Sequence, residues 1–373
     1  MTKSTILPLA LSGLLALQPW LASAATWNQT SSFYGQDFYK WDFFNQTDPT
    51  NGLVRYLPLA NAKYANLTYA EGNTFVMKVD TVEQALDGRQ SIRISSPDSY
   101  SDGVYVLNVS HVPLGCSTWP AFWTVTENLD NWPVGGEIDI MENANDEFAS
   151  NLVSLHTKSS CTIPSSISDQ TGMVAYTNCS AYTPENTGCR VEMNGTSTPT
   201  WGTKLNMAGG GVIAMERAMG STGSGVRVWY WANDQATLPS DLKSGSSSVD
   251  PSTWGTPAVH FDVADNCHSD FGPHKITFDI TLCGDWAAQS YISSGCAATY
   301  GACSSQVAYN GSSYSEAYWE IQGLRVFATG GGNDNSAKSP NTHIATTSGS
   351  AKVSPFLVGL GTAILGLAAA TLA

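Results

Sequence analysis

Gly135-Gly136-Glu137-Ile138-Asp139-Ile140-Met141-Glu142 reads as a buried β-strand that nevertheless carries three carboxylates in six residues. Acids are among the residues that strands exclude, and like charges on one strand face repel. A local rule broken this openly points to a functional site. Side chains alternate along a strand, so Glu137 and Asp139 share a face on which a regular strand would next place Met141, not Glu142. A β-bulge adds one residue and resets the alternation. A bulge beside Ile140 and Met141 is therefore expected, returning Glu142 to the face of the other two acids.

With that reset, the α-carbons of Glu137 and Glu142 stand about 13 Å apart, four effective strand steps. Both side chains can lean inward, toward the carboxyl separation of about 5 to 5.5 Å at which a retaining glycosidase attacks the anomeric carbon directly. Three adjacent carboxyls cannot all ionise cheaply, so at least one pKa must rise, and the raised group is expected to be the general acid. The roles that follow are Glu137 as nucleophile, Glu142 as acid and then base, and Asp139 as the group that hydrogen-bonds and orients Glu137. A cycle needing Glu137 ionised and Glu142 protonated implies an acidic pH optimum. The plainer alternative is a strand with an acidic solvent face. The flanks Trp119-Pro120-Ala121-Phe122-Trp123 and Trp132-Pro133 weigh against it, because sugar sites pair stacking rings with carboxylates.

Outward from this strand, helical periodicity is scarce and short apolar or alternating runs bounded by Gly, Pro, Asn and Ser recur. They are Thr74 to Val79, Ser91 to Ile94, Gly103 to Val109, Leu152 to His156, Gly211 to Met215, Val226 to Trp231, Ile276 to Thr281 and Ile321 to Phe327. This is the pattern of an all-β sandwich. No long linker, internal repeat or charge block interrupts residues 25–329, which are expected to form one domain around a single large core. Lys243 to Ser252 reads as a surface loop and residues 330–350, rich in Gly, Ser and Thr, as a flexible stalk.

Residues 1–24 combine Lys3, an apolar stretch from Ile6 to Leu21 and the small-residue site Ala22-Ser23-Ala24, the pattern of a secretory signal peptide. Residues 351–373 end in an uncharged Leu/Gly/Ala tail, which reads as a cleaved GPI-anchor signal; Thr347, Ser348 and Gly349 are candidate attachment sites. A membrane helix of that length is the alternative. An extracellular chain held at the cell surface or wall agrees with an even count of eight cysteines, which favours disulfides over metal sites, and with seven Asn-x-Ser/Thr sequons at Asn28, Asn45, Asn66, Asn108, Asn178, Asn194 and Asn310. The cysteine connectivity is not readable. No His pair has zinc-motif spacing, so no metal or other cofactor is expected.

The chain carries 17 basic and 31 acidic residues, and without Lys3 and Lys352 the balance is 15 against 31, about −16. Such a charge repels nucleic acid. A neutral polysaccharide is a compatible partner, and the chain is read as a monomer that meets a membrane only through its anchor.

At these residues the chain resembles the fungal laminarinase-like endo-β-1,3(4)-glucanases of glycoside hydrolase family 16. The resemblance rests on Gly88-Arg89-Gln90-Ser91-Ile92-Arg93-Ile94-Ser95-Ser96, Gly115-Cys116-Ser117-Thr118-Trp119-Pro120-Ala121-Phe122-Trp123, the stretch from Trp132 through Glu142, Leu155-His156-Thr157, Gly209-Gly210-Gly211-Val212-Ile213-Ala214-Met215-Glu216 and Cys283-Gly284-Asp285-Trp286. It implies a concanavalin A-like jelly-roll sandwich with an open cleft, retaining hydrolysis of β-1,3 or mixed-linkage glucan, and the same roles for Glu137, Asp139 and Glu142. It further implies that His156 lies in the cleft near the acid/base and that Arg93, Trp119, Trp123, Trp132 and Trp286 line it. Asn143 departs from many relatives, which carry Gly there, and bears on substrate preference. GPI-anchored relatives that act as wall transglycosylases use a shorter Glu-x-Asp-x-Glu strand; the extra residue here favours hydrolysis without excluding transfer. A non-catalytic glucan-binding module is a third reading, opposed by the presence of both glutamates.

Overall fold

Alternation along each strand sorts side chains between two layers, and the described residues build two stacked sheets from it. The computed structural model describes residues 26–328 apart from residues 159, 185, 195–197, 221–222, 234–236, 244 and 265. They belong to the unit Met1–Gly331. The expected leader, stalk and anchor tail fall outside them. Among the described residues no helix is long and apolar enough to cross a membrane.

One sheet has eight strands: β1 (Asp42–Phe43), β2 (Arg93–Ser95), β3 (Thr118–Thr126), β4 (Glu137–Glu142), β5 (Leu152–His156), β6 (Met173–Tyr176), β7 (Cys189–Glu192) and β8 (His274–Leu282), in the order β6-β7-β5-β4-β3-β8-β2-β1. All of its pairings are antiparallel. The acidic strand β4 lies near its middle. The second sheet has nine strands and is centred on Gly103–His111, Gly211–Ala218, Gly225–Ala232 and Tyr318–Ala328. The core lies between the sheets: Phe122, Ile138, Ile140, Leu155, Ile276, Phe278 and Ile280 from the first meet Tyr105, Leu107, Ile213, Met215, Val228, Ile321 and Leu324 from the second. The sheets do not close on each other, so the fold is the expected jelly-roll sandwich rather than a barrel.

Two expectations need correction. The run Ser91 to Ile94 is not one strand: Arg89–Ser91 pairs in parallel with Val54–Tyr56, while β2 begins at Arg93 and joins the eight-stranded sheet. Ile92 sits buried at the corner between them. The segment Lys243 to Ser252 is not simply a loop, because Ser248–Val249 pairs with Trp27 and Asn28 at the edge of the nine-stranded sheet. Its Val249, with Leu242 and Trp254, covers a second cluster around Trp27, Trp229 and Trp231 on the far side of that sheet. Apolar residues on an outer sheet face need such a cover, and the polar composition of the segment hid it.

The eight cysteines form four bridges, Cys116–Cys296, Cys161–Cys267, Cys179–Cys189 and Cys283–Cys303. Cys116–Cys296 and Cys283–Cys303 tie the chain beside β3 and β8, and the other two tie the segments beside β5 and β7.

Candidate active site

The chain enters β4 through Gly135 and Gly136, both at positive φ, 94° and 79°. A side chain at Gly135 would strike Thr126, and one at Gly136 would strike Phe271, so glycine is required at both for steric reasons as well as for backbone conformation. His274 fixes this entry by bonding the Gly135 carbonyl through Nε2 at 2.6 Å.

The bulge is where the alternation places it. Against β3, Asp139 pairs with Trp123 and Met141 with Phe122, leaving Ile140 as the extra residue; against β5 the register slips between Asp139 and Glu142. Ile138, Ile140 and Met141 consequently all face the core. Glu137, Asp139 and Glu142 lie on the opposite, outer face. Asn151, fully buried, closes the backbone gap: its Oδ1 accepts from the Glu142 amide at 3.0 Å and its Nδ2 donates to the Ile140 carbonyl at 2.8 Å.

On this face the acids are walled in by rings. Trp132 donates its indole N–H to Glu137 Oε2 at 2.9 Å, and Trp119 donates to Glu142 Oε1 at 2.7 Å. Trp286 stands edge-on to Trp119 with centroids 5.7 Å apart, and the Arg190 guanidinium lies 4.6 Å from the Trp286 ring centre. Trp123 is cross-strand neighbour to Asp139, and the Arg93 guanidinium lies 5.0 Å from its ring centre and 4.9 Å from that of Phe44. Asp139 is 3% exposed and Glu142 6%, figures that on an outer sheet face require a recess around them. Every site residue singled out from the sequence is thus brought to one face.

Three details differ from expectation. His156 is cross-strand partner of Glu137 and its Nε2 is 3.4 Å from Asp139 Oδ2; it lies beside the proposed nucleophile rather than the acid/base, because the bulge displaces Glu142 to the level of Leu152. That contact lacks hydrogen-bond geometry, and Asp139 Oδ2 is buried without a partner. No hydrogen bond joins Asp139 to Glu137. Finally, the raised carboxyls include the proposed nucleophile: burial pushes Glu137 up to about 8, the Asp139 and Glu142 charges adding to it while His156 and the Trp132 N–H oppose. Asp139 is also held well above the usual range by burial and then by Glu142, with Arg190 opposing.

Sequence reasoning missed Asn151, Arg190 and Asp279. Asp279 had the same signal as the acidic strand, a carboxylate inside an apolar run, and was passed over. It lies on the outer face of β8, and burial pushes it up to about 7 despite Arg93 at 3.9 Å. Asn143, the departure from the family pattern, is buried and secures the turn after β4: its Nδ2 donates to the Phe148 carbonyl at 2.8 Å and its Oδ1 accepts from the Ala144 amide at 2.9 Å. That turn carries Phe148 to within 6.4 Å of Trp286, centre to centre.

Glu137, Asp139 and His156 each offer one donor atom within 4.8 Å of the other two. Donors around a tetrahedral ion at bond lengths of about 2.0 to 2.1 Å stand about 3.4 Å apart, so the trio would have to contract to hold a metal.

A sandwich with two glutamates displayed on one sheet face, an aspartate between them and indoles bonded to both, defines a glycoside hydrolase. The comparisons with known proteins agree. The XgeA-like catalytic GH16 domain family matches residues 41–327. A probable glycosidase of Schizosaccharomyces pombe is 38% identical over 82% of this chain and 70% of its own length. Endo-1,3(4)-β-glucanase XgeA of Emericella nidulans is 33% identical over 84% of this chain and 49% of its own, so the chain spans about half of that relative. Among solved structures, laminarinase 16A of Phanerochaete chrysosporium, with β-glucans in donor and acceptor sites, is 36% identical with a TM-score of 0.75, covering 81% of this chain and 100% of that one. An elongating β-1,3-glucosyltransferase is 34% identical with a TM-score of 0.71, covering 81% and 99%. The chain belongs to glycoside hydrolase family 16.

Proposed function

We propose that the chain is a retaining endo-β-1,3(4)-glucanase that cleaves β-1,3 or mixed-linkage glucan by double displacement. The observation that carries this reading is the bulge, which turns both glutamates to one face where each is oriented by its own indole. Glu137 attacks the anomeric carbon while Glu142 protonates the departing oxygen. Forming the glycosyl ester removes the Glu137 charge, so Glu142 loses a carboxylate neighbour and can act as the base that activates water. Asp139 lies within 4.8 Å of Glu137 and His156, close enough for its protonation state to bias theirs. The leader, the apolar tail, the sequons and the four bridges support secretion and surface anchoring of the same enzyme.

Transfer to a sugar is the second reading, supported by the similarity to the glucosyltransferase and by the Trp119–Trp286–Phe148 wall beside Glu142, where an incoming sugar could sit. Purified enzyme should release reducing sugar from laminarin, with Glu137→Gln or Glu142→Gln at least about 1,000-fold slower, the scale of losing a group confined to the transition state. Full activity in either variant would end the assignment. Laminari-oligosaccharide products longer than the donor would favour transfer over hydrolysis.

A further inference from the structure

The cross-strand register draws a line on the outer face of the eight-stranded sheet that the proposed function does not use. Glu142 on β4 is paired with Ala121 on β3, Ala121 with Asp279 on β8, and Asp279 with Arg93 on β2. These four side chains lie in one row on the face of the acids. Neighbouring strands stand about 4.8 Å apart, so Glu142 and Asp279 are separated by about 9.6 Å, with only a methyl group between them. Along β3, Trp119 and Trp123 flank that methyl on the same face, one leaning to Glu142 and the other to Arg93. The result is a slot: a low floor at Ala121, an indole on each side, the proposed acid/base at one end and a carboxylate at the other.

Asp279 is as open as the residues at the centre of the site, 7% against 6% for Glu142. Its nearest cation, Arg93 Nη1, is 3.9 Å away, too far for a hydrogen bond, so beyond the Ala121 backbone no side-chain donor among the described residues holds the carboxylate. A buried polar atom on the same face, Trp123 Nε1, has no partner. Tyr56 meets Phe44, which in turn packs on Arg93. A carboxylate acceptor, a partly desolvated guanidinium and stacking rings around a small floor suit a neutral sugar, whose hydroxyls donate to the acid while its apolar face lies on an indole. Once Asp279 is ionised, above about pH 7, phosphate or uronate ligands would meet its charge and be repelled.

Resting on the glucanase reading, we propose that Asp279 is a substrate-binding residue. It accepts hydroxyl hydrogen bonds from the glucosyl unit held over Ala121, and the small side chain at 121 sets which sugars enter. Neither residue takes part in bond breaking.

The test measures binding apart from turnover. In the Glu137→Gln background at pH 8, where Asp279 is ionised, titration calorimetry with laminarihexaose is expected to show about 10- to 100-fold weaker binding after Asp279→Asn, the scale of a charge-assisted hydrogen bond reduced to a neutral one. Ala121→Val, a β-branched residue that suits a strand, should weaken binding at least as much by filling the slot. In otherwise native enzyme, Asp279→Asn is expected to raise KM with kcat changed much less, the signature of lost uniform binding. Melting temperature at pH 5 provides the folding check for both variants. Hexaose affinity and KM unchanged in folded Asp279→Asn and Ala121→Val would overturn the proposal. Wild-type enzyme that binds hexaose through Asp279 but releases no reducing sugar would instead overturn the glucanase reading and leave the binding site standing.

Discussion

Glu137 illustrates how one side chain is governed by its surroundings. Burial and two neighbouring carboxylates favour its protonated form, whereas the Trp132 N–H, bonded to Oε2, favours the carboxylate that the proposed attack requires. An activity that requires ionised Glu137 therefore begins to rise above the ordinary carboxylate range, and the acidic optimum expected from the sequence moves toward neutrality. Trp132→Phe removes the donor and keeps the ring. Its effect should be to shift the acid limb of the kcat/KM profile upward by about one to two pH units, since a hydrogen bond to a charged group contributes about 1.5 to 3 kcal/mol. An acid limb that stays in place, or moves down, would show that the indole only packs. The identity of the three acids was legible because they violate strand propensity; the bond to Trp132 was not, since Trp132 lies five positions upstream in a turn whose path depends on Phe271 and His274.

At the level of the element, the bulge makes the strand functional. An extra residue leaves backbone groups out of step with both neighbouring strands, and Asn151 satisfies two of them, the Glu142 amide and the Ile140 carbonyl. Asn151→Ala leaves both buried and unpaired, a loss of about 2 to 4 kcal/mol. Asn151→Asp keeps the acceptor for the Glu142 amide but cannot donate to Ile140, and it adds a buried charge. Both variants should lose melting temperature and kcat together, because Glu142 is carried by the backbone that Asn151 holds. A variant with normal kcat would mean that the bulge holds itself. The five-residue offset between the glutamates announced the bulge in the sequence. Its clamp gave no such signal, because an asparagine before a strand ordinarily reads as a turn residue.

At the scale of the whole molecule, placing carboxylates on a recessed sheet face has a consequence for stability. Asp279 moves from an ordinary value of 3.8 to about 7 on folding, and Glu137 from 4.5 to about 8. Each binds its proton more tightly in the folded chain. The stabilisation is therefore fully present below the unfolded values and is lost as pH rises through the folded ones, by at most about 4 kcal/mol for Asp279. Melting temperature should fall between about pH 4 and pH 8, and Asp279→Asn should flatten that slope while raising the melting temperature at pH 8. A melting temperature that climbs across this interval would contradict the burial of these acids. The four bridges oppose unfolding throughout; Cys116–Cys296 closes the longest loop, its partners at a sequence separation of 180, which in the chain-entropy account constrains the unfolded chain most.

The sequence by itself determined what is local. Alternation gave the strands, the five-residue offset gave the bulge, and the acids and the motifs around them gave the family. Tertiary structure decided what depends on register between distant segments. It placed His156 beside Glu137 rather than Glu142, paired the cysteines, carried Trp286 to Trp119, and set Asp279 in line with Glu142 across Ala121. Periodicity tells a strand which face to bury, but only the partner strand tells it what stands opposite.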